Sequence, residues 1–532
     1  MSEHYDIAIV GSGFAGSLLA MIVRRLGRSV VLIEKGTHPR VVIGESSTPL
    51  SNLLLEDLAT RYDLPAVAPL TKWGSWQQTY PELACGLKRG FTFHHHVLGK
   101  PHVSGADRRD QLLVAASPHD GIADTHWYRA DFDHFLVREA QKLGVDYRDE
   151  VKLNRFTDCG DTVRLEGERR GHAVSFTARF VLDASGPRGF LHHALGLGER
   201  ELPGFPATQA LFNHFTGVTR LGEGTMSRTK EASPYPIDDA AVHHIFEGGW
   251  VWVLQFNNGV TSAGVVATDE VAADLRFSSG EGAWQRLLTL VPALGEQFAS
   301  AQAQRPFTHI PRLSFRSAAI TGDKWALLPS AAEFVDPLLS TGFPLTLLGV
   351  SRLAEIIDRD WSSGDLQSSL QQYARQTDAE LVTASRLIGV LYRNMGDFPV
   401  FVALSLLYFA AVSFSEAARR LGKPELAPSF LLHDHAIFGP TCLRLFERTL
   451  HPRTERESSE LVRDIVCAIE PFNVAGLGDA ARRNWYPVIA EDLIQSAHKL
   501  NASQDEILQL LRRSGFVAGN ATGASELASA RS

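Results

Sequence analysis

The sequence predicts an α/β fold: a parallel, dinucleotide-binding sheet, a largely antiparallel sheet set into it, and a helical C-terminal region. Three observations carry this. Residues 5–10, then Gly11-Ser12-Gly13-Phe14-Ala15-Gly16, then the apolar spacing of residues 17–26 make a strand, a glycine turn and a helix; a second apolar strand, 29–33, ends on Glu34. Strand-like runs separated by Gly and Asn turns fill residues 208–315. From about 363 to 513 the apolar spacing is mostly helical.

In the first unit, Gly11 permits the tight turn, Gly13 lets the backbone approach a pyrophosphate, and Gly16 lets the helix pack closely on the strand. The phosphates would meet unpaired amides at the helix start, around Phe14 and Ala15. Glu34, followed by Lys35, lies near the distance of about 20 residues at which an acid takes the ribose hydroxyls. A bare GxGxxG is a weak signal. In the order strand, turn, helix, strand and acid, it reads as a site for an adenine dinucleotide rather than a turn without a ligand.

The chain has 532 residues, 44% of them apolar, which suffices for a large core and two or three domains. Its formal net charge is −8 and it has no long basic run, so nucleic acid is not an expected partner. Cys85, Cys159, Cys442 and Cys467 form no CxxC pair and no metal-ligand spacing. A reducing, cytoplasmic setting is expected. The first strand begins too near the N-terminus for a signal peptide.

Further along, Ser47, Thr48 and Pro49 belong to a polar turn ahead of the apolar stretch 50–58, where a surface loop with a helix cap is the plain reading. Alternation across 84–96 puts Lys88, Gly90, Thr92 and His94 on one strand face and Arg89, Phe91, Phe93 and His95 on the other. It also separates the neighbours His94, His95 and His96. No carboxylate or cysteine completes a ligand set, so no metal is expected. Asp131 is the expected N-cap of a helix whose buried face carries Phe132, Phe135 and Leu136 and which ends at Gly144. The strand 180–183, followed by Ala184-Ser185-Gly186, returns the chain to the first sheet, as does 325–337. Residues 338–344 then open a long helix to about 359, whose N-terminus is a second anion site. Residues 398–414 carry no charge; with Asp397 as cap and Pro399 in the first turn, they read as a buried helix rather than a membrane span. The expected domains are 1–362 (dinucleotide-binding parts about 1–80, 105–205 and 316–362; substrate sheet about 81–104 and 206–315) and a helical region 363–515. A flexible tail, 516–532, follows.

The set Gly11 to Gly16, Arg129, Asp183-Ala184-Ser185-Gly186 and Asp336-Pro337 through Ser340-Thr341-Gly342 resembles FAD-dependent enzymes of the hydroxylase type. Lys88 and Trp250-Val251-Trp252 narrow the resemblance to flavin-dependent halogenases of the phenol type, over most of residues 1–400. The resemblance implies an FAD-binding Rossmann-like, hydroxylase-type fold. It implies FAD, used as FADH2, held by Gly11, Gly13, Phe14, Ala15, Gly16, Glu34, Lys35, Ser47, Thr48, Pro49, Arg129, Asp336 and Gly342. Chloride or bromide would sit by Ser340, Thr341 and Gly342, with O2 as co-substrate, and hypohalous acid would form at the flavin. Trp250 and Trp252 would be the wall between flavin and substrate, and Lys88 would present the halogen to an electron-rich, phenolic ring. The implied partners are a small aromatic, free or carrier-bound, a separate NAD(P)H flavin reductase, and a second copy in a homodimer; no membrane is implied.

Two departures from the family pattern stand out. Leu254 and Gln255 replace the Ile-Pro of a W-x-W-x-I-P signature, which bears on a local strand bend, and Pro329-Ser330-Ala331 lacks an Asp that would bond the ribityl chain. Leu339 stands where tryptophan-specific members carry Glu. By residue type alone, Lys88 also fits a surface lysine, Arg129 a partner of Asp131 or Asp133, and the tryptophans a sheet core. An aromatic hydroxylase or other FAD oxidoreductase, and a flavin-binding protein without halogenating turnover, remain the alternatives. The general base is not identified; His94 and His96 are candidates.

Overall fold

The computed structural model describes residues 3–101, 107–221 and 232–516. Strand β1 (Glu3–Val10) feeds the glycine turn, helix α1 (Phe14–Arg25) and strand β2 (Val30–Ile33). Helix α2 (Pro49–Arg61) follows, its Thr48 cap accepting from the Ser51 amide, a bond of the kind worth about 1 kcal/mol. Then come β3 (Cys85–Lys88), β4 (Gly90–His95), β5 (Gln111–Ala115) and β6 (Asp124–Trp127), and helix α3 (Arg129–Lys142). Next are β7 (Asp146–Arg148), β8 (Val151–Asp158), β9 (Val163–Arg169) and β10 (His172–Asp183).

The first sheet has the core order β10-β1-β2-β7, all parallel, because α1 and α3 make the right-handed crossovers that parallel strands need. The residues of β1 and β2 from Ile7 on are buried, as both faces of such a sheet are covered. A later strand, Trp325–Leu327, adds in parallel beside β10, so the first unit is built from discontinuous pieces.

The second sheet carries β11 (Thr208–Thr216), β12 (Ala241–Phe246), β13 (Gly249–Gln255) and β14 (Thr261–Thr268) in the order β11-β14-β13-β12-β4-β5. Its pairings are antiparallel except β12 with β4 and β5 with Trp485–Tyr486. Both hairpin turns fall where the glycines put them. The interval also holds three α-helices and a 3-10 helix between Asp269 and Gln297 that alternation does not reveal.

The chain then enters α4 (Gly342–Asp360), α5 (Leu366–Arg393) and α6 (Phe398–Arg420). Among the described residues α6 alone is long and apolar enough to cross a membrane, and 83% of its most apolar window is buried. It packs on the second sheet: Phe398 against His95 at 4.9 Å, Phe401 against Phe93 at 6.0 Å and Phe409 against Phe91 at 5.1 Å. The C-terminal region is helical as expected but also returns the strand Trp485–Tyr486 to the second sheet. One apolar core runs from Ile7 through α6 to Leu511.

Two local expectations fail. The helix α3 begins at Arg129, with Tyr128 as its N-cap. Asp131 sits inside its first turn and accepts instead from the Ala84 amide at 3.1 Å. The continuous alternation through 84–96 also breaks. At Arg89 the chain leaves one sheet for another: β3 pairs only with β6, while β4 pairs with β5 and β12. Lys88 and Phe91, on opposite faces by alternation, therefore meet, the Lys88 ammonium lying 3.8 Å from the Phe91 ring centroid. The expected tail lies outside the described residues, apart from Phe516.

Candidate active site

The glycine turn shapes one end of a groove of about 280 Å³. Gly11 has φ +97°, and a Cβ there would lie 2.6 Å from the Ala184 carbonyl oxygen; one on Gly16 would lie 2.0 Å from that of Gly11. Only glycine fits either place. The N-terminus of α1 has no side-chain cap, which leaves its first amides to an anion, and Gly13, Phe14 and Ala15 line the groove. Glu34 is buried at the end of β2 and accepts from the Ser12 amide and hydroxyl and the Gly36 amide, each at 3.0 Å. Burial alone would raise its carboxyl; Arg40 and those amides outweigh it and hold the group below its ordinary value. Lys35 is exposed beside it.

Arg129 lines the same groove as a partner of Asp133, bonded at 2.7 and 2.8 Å, and it also donates to the Gly44 carbonyl at 2.9 Å. Opposite the turn, Leu339 (φ +62°) and Ser340 (φ +55°) swing the chain into α4, bringing Ser340, Thr341 and Gly342 to the groove. A Cβ on Gly342 would meet nothing within 4 Å, so the space before this helix N-terminus is open. Trp250 and Trp252 form the wall on the sheet side, ring centroids 6.0 Å apart. The Trp250 indole donates to the Tyr392 hydroxyl at 3.1 Å, and Tyr392 donates to Asp336 at 2.8 Å. Burial pushes the Asp336 carboxyl up to about 7 despite those bonds. At the signature's departure the ladder runs on without a shift of register. Gln255 stays in the ladder opposite Thr261, and its side chain accepts from Arg220 at 3.0 Å.

Lys88 is 0% exposed. Its ammonium donates to the Ser46 hydroxyl at 2.9 Å and to the Ser47 carbonyl. Ser46 lines the groove; beyond Lys88, Phe91, Thr48 and Asp124 line a second cavity of about 220 Å³, closed by α6 through Tyr408 and Phe409 and by Leu510 and Leu511. Of the loop 44–49, then, Gly44 to Ser46 reach the groove, Ser47 is buried on the Thr125 carbonyl, and Thr48 and Pro49 turn to the second cavity. Burial depresses the Lys88 amine and, with Asp124 its cross-strand neighbour, raises the Asp124 carboxyl. His94 and His96 line neither cavity; His96 pairs with His244 at 2.9 Å. Among the described residues no cluster of metal-ligating side chains occurs.

The model of the tryptophan halogenase family matches residues 123–397, just over half of the chain. The chain belongs to this family. It is a flavin-dependent halogenase, and membership favours neither the hydroxylase nor the non-halogenating alternative. An NAD(P)-binding Rossmann-like domain model matches residues 9–49. The halogenase is 28% identical to monodechloroaminopyrrolnitrin halogenase PrnC of Pseudomonas fluorescens over 76% of this chain and 71% of that one. It is also 28% identical to tetracycline 7-halogenase of Kitasatospora aureofaciens over 64% of this chain, spanning 61% of that enzyme's length. Its fold matches the crystal structure of halogenase PltM in complex with phloroglucinol and FAD, with a TM-score of 0.80, 25% identity, and coverage of 90% and 99%.

The residues present fit FAD. The uncapped start of α1 suits the pyrophosphate and the open space before Gly342 the flavin end, whereas Glu34 does not line the groove and its carboxylate is bonded to Ser12, Gly36 and Arg40. The sequence pattern did not single out Asn52, Asp124, Tyr392 or Tyr408. Asn52, Asp124 and Tyr408 line the second cavity, and Tyr392 stands behind the groove, bonded to Trp250 and Asp336; long-range contacts place them, and no local motif marks them.

Proposed function

We propose that this halogenase transfers chloride- or bromide-derived halogen to a small phenolic aromatic through Lys88. One observation carries the reading: the Lys88 ammonium is wholly buried and lines neither cavity itself, but it donates to Ser46, which lines the groove, and rests on Phe91, which lines the second cavity. Gly13, Phe14, Ala15 and Arg129 would hold the adenine dinucleotide half of FAD, and Asp336 and Gly342 the flavin half. Bound there, FAD would supply the oxidising power, drawn from O2 after reduction by a separate NAD(P)H-dependent reductase, that turns halide into hypohalous acid.

The chain's own residues do the rest. The amides of Thr341 and Gly342, at the positive end of α4, attract the halide. Trp250 and Trp252, fixed by Tyr392 and by Ser262 at 3.1 Å, keep the aromatic substrate out of the groove. Lys88 hydrogen-bonds the hypohalous acid and offers its halogen to the ring. The second cavity, lined by Phe91, Tyr408 and Phe409, would take a compact aromatic ring such as the phloroglucinol bound by PltM.

The test is turnover with a flavin reductase, NADH, FAD, bromide or chloride and a panel of small phenols. Products heavier by a halogen support the reading. Products heavier by one oxygen, or halogenation by Lys88→Ala as fast as by the wild type, would overturn it.

A further inference from the structure

The halogenated carbon must lose a proton, and no group has yet been given that task. We propose that Asp124 is the base: its Oδ2 takes the ring proton from the carbon that receives the halogen. This rests on the reading of Lys88 as the group that delivers the halogen.

The placement follows from strand register. Lys88 and Asp124 are directly paired across β3 and β6, so their side chains leave the same face with Cβ atoms about 5 Å apart. A ring carbon brought to Lys88 is therefore brought to Asp124. Asp124 is 5% exposed and lines the second cavity, where the substrate ring would lie. Asn52 donates to Oδ1 at 2.8 Å and fixes the carboxyl, whereas Oδ2 has no hydrogen-bond partner among the described residues. The buried Tyr408 hydroxyl, lining the same cavity, is likewise without a partner. With the Asn52 carbonyl oxygen and the Ser117 hydroxyl, four buried polar atoms of the residues lining this cavity are left unsatisfied, which points to a polar ligand that completes them. A phenol meets two of them, its hydroxyl at Tyr408 and its ring edge at Asp124.

The atoms balance. A ring π pair forms the carbon–halogen bond as the oxygen–halogen bond of hypohalous acid breaks, and hydroxide leaves as water with a proton from the Lys88 ammonium. The C–H pair then returns to the ring and its proton passes to Asp124 Oδ2. The water formed at Lys88 relays that proton from Asp124 to the amine, which resets the pair. Burial favours the neutral form of both groups, which brings their proton affinities together and lets the proton move between them at small cost.

Asp124→Asn keeps shape and removes the base. With a ring-deuterated phenol and the holoenzyme system above, kcat is expected to fall about 100-fold with KM within a few-fold, the scale of general-base catalysis. A ring-deuterium isotope effect of about 2 or more should appear, because proton loss then limits turnover. Formate should restore rate to Asp124→Ala and not to Lys88→Ala. A kcat within threefold of wild type, or a slow variant with no isotope effect, would overturn the proposal; the latter would show Asp124 merely positioning Lys88.

Should Asp124→Asn fail to fold, Asn52→Leu serves instead. It removes a donor that favours the carboxylate, so the acid limb of kcat against pH should move upward; an unmoved limb refutes the proposal. The groups facing Asp124 in that titration are Lys88 from β3, Asn52 from α2, and Tyr408, Glu416 and Arg420 from α6. Normal halogenation by Lys88→Ala would overturn the Lys88 reading and this proposal with it, whereas an inactive Lys88→Ala beside a normal Asp124→Asn overturns this proposal alone.

Discussion

Replacing Lys88 by Met should expose the titration of the buried pair as a change in the pH dependence of stability. Below about pH 7 the folded wild-type pair holds two protons, Lys88 as ammonium and Asp124 as acid, and above it both are released. The unfolded chain, with a charged lysine and an ionised aspartate, holds one. Wild-type stability therefore falls as pH rises from the ordinary carboxylate range to about 7 and recovers above it, where the folded amine has released a proton that the unfolded chain keeps. In Lys88→Met the counter-charge that lowers the Asp124 carboxyl is gone, burial alone sets it still higher, and there is no amine to release a proton. The variant's stability is present at low pH and is lost as pH rises toward the folded Asp124 value, without the recovery. The two slopes match below about pH 7 and part above it by about 1.4 kcal/mol per pH unit or more. At pH 5 the two proteins should be close. Met fills the space above Phe91 and exchanges a cation–π contact for a sulfur–aromatic one of similar size, about 0.5–1.5 kcal/mol. Urea unfolding of both proteins at several pH values measures this. Curves that stay parallel above about pH 7 would refute the claim that burial depresses the Lys88 amine, and with it the idea of a pair that passes a proton.

Two further predictions concern the groove. Gly16→Ala would put a Cβ 2.0 Å from the Gly11 carbonyl oxygen, so the turn must open. FAD affinity measured by flavin fluorescence should fall at least about tenfold, the effect of 1.4 kcal/mol; unchanged affinity would mean that the turn does not hold the cofactor. Tyr392→Phe leaves the Trp250 indole N–H and an Asp336 carboxyl oxygen without their partner. At about 1–3 kcal/mol for each orphaned group the loss is about 2–6 kcal/mol, seen as a lower urea midpoint, and an unmoved midpoint would show that the relay carries no stability.

Much of the scaffold was legible because its signals are local. The turn from Gly11 to Gly16, the hairpin glycines of the second sheet, the returns at Asp183 and Trp325 and the loop into Gly342 each follow from a few adjacent residues. Asp131 misled because a cap and a first-turn acid look alike in sequence; the structure shows Tyr128 at the cap and uses Asp131 to hold the Ala84 amide. Asp124, Asn52, Tyr392 and Tyr408 were invisible for a different reason. Asp124 meets Lys88 only through the pairing of β3 with β6, and Tyr392 meets Trp250 across 142 positions. Register and helix docking make these sites, and neither is written in a short window.

The break at Arg89 shows why the difference matters for chemistry. An unbroken strand through 84–96 would place Lys88 and Phe91 on opposite faces and leave one of them outside the chamber. Instead Arg89 ties the crossing down. Its amide donates to the Asp239 carbonyl at 2.6 Å, its carbonyl accepts from Ala116 at 2.7 Å, and its guanidinium donates to the Pro118 carbonyl and to Asp120, each at 2.7 Å. The crossing lets β3 keep Lys88 beside Asp124 and Ser46 while β4 brings Phe91 under the ammonium. A cation then faces a ring on one side and a carboxyl on the other, with solvent excluded. On the proposed role of Lys88, such a position would hold a reactive halogen donor near an acceptor ring only if the strand ends where it does. The residue that departs most from the alternation is therefore the one that assembles the site.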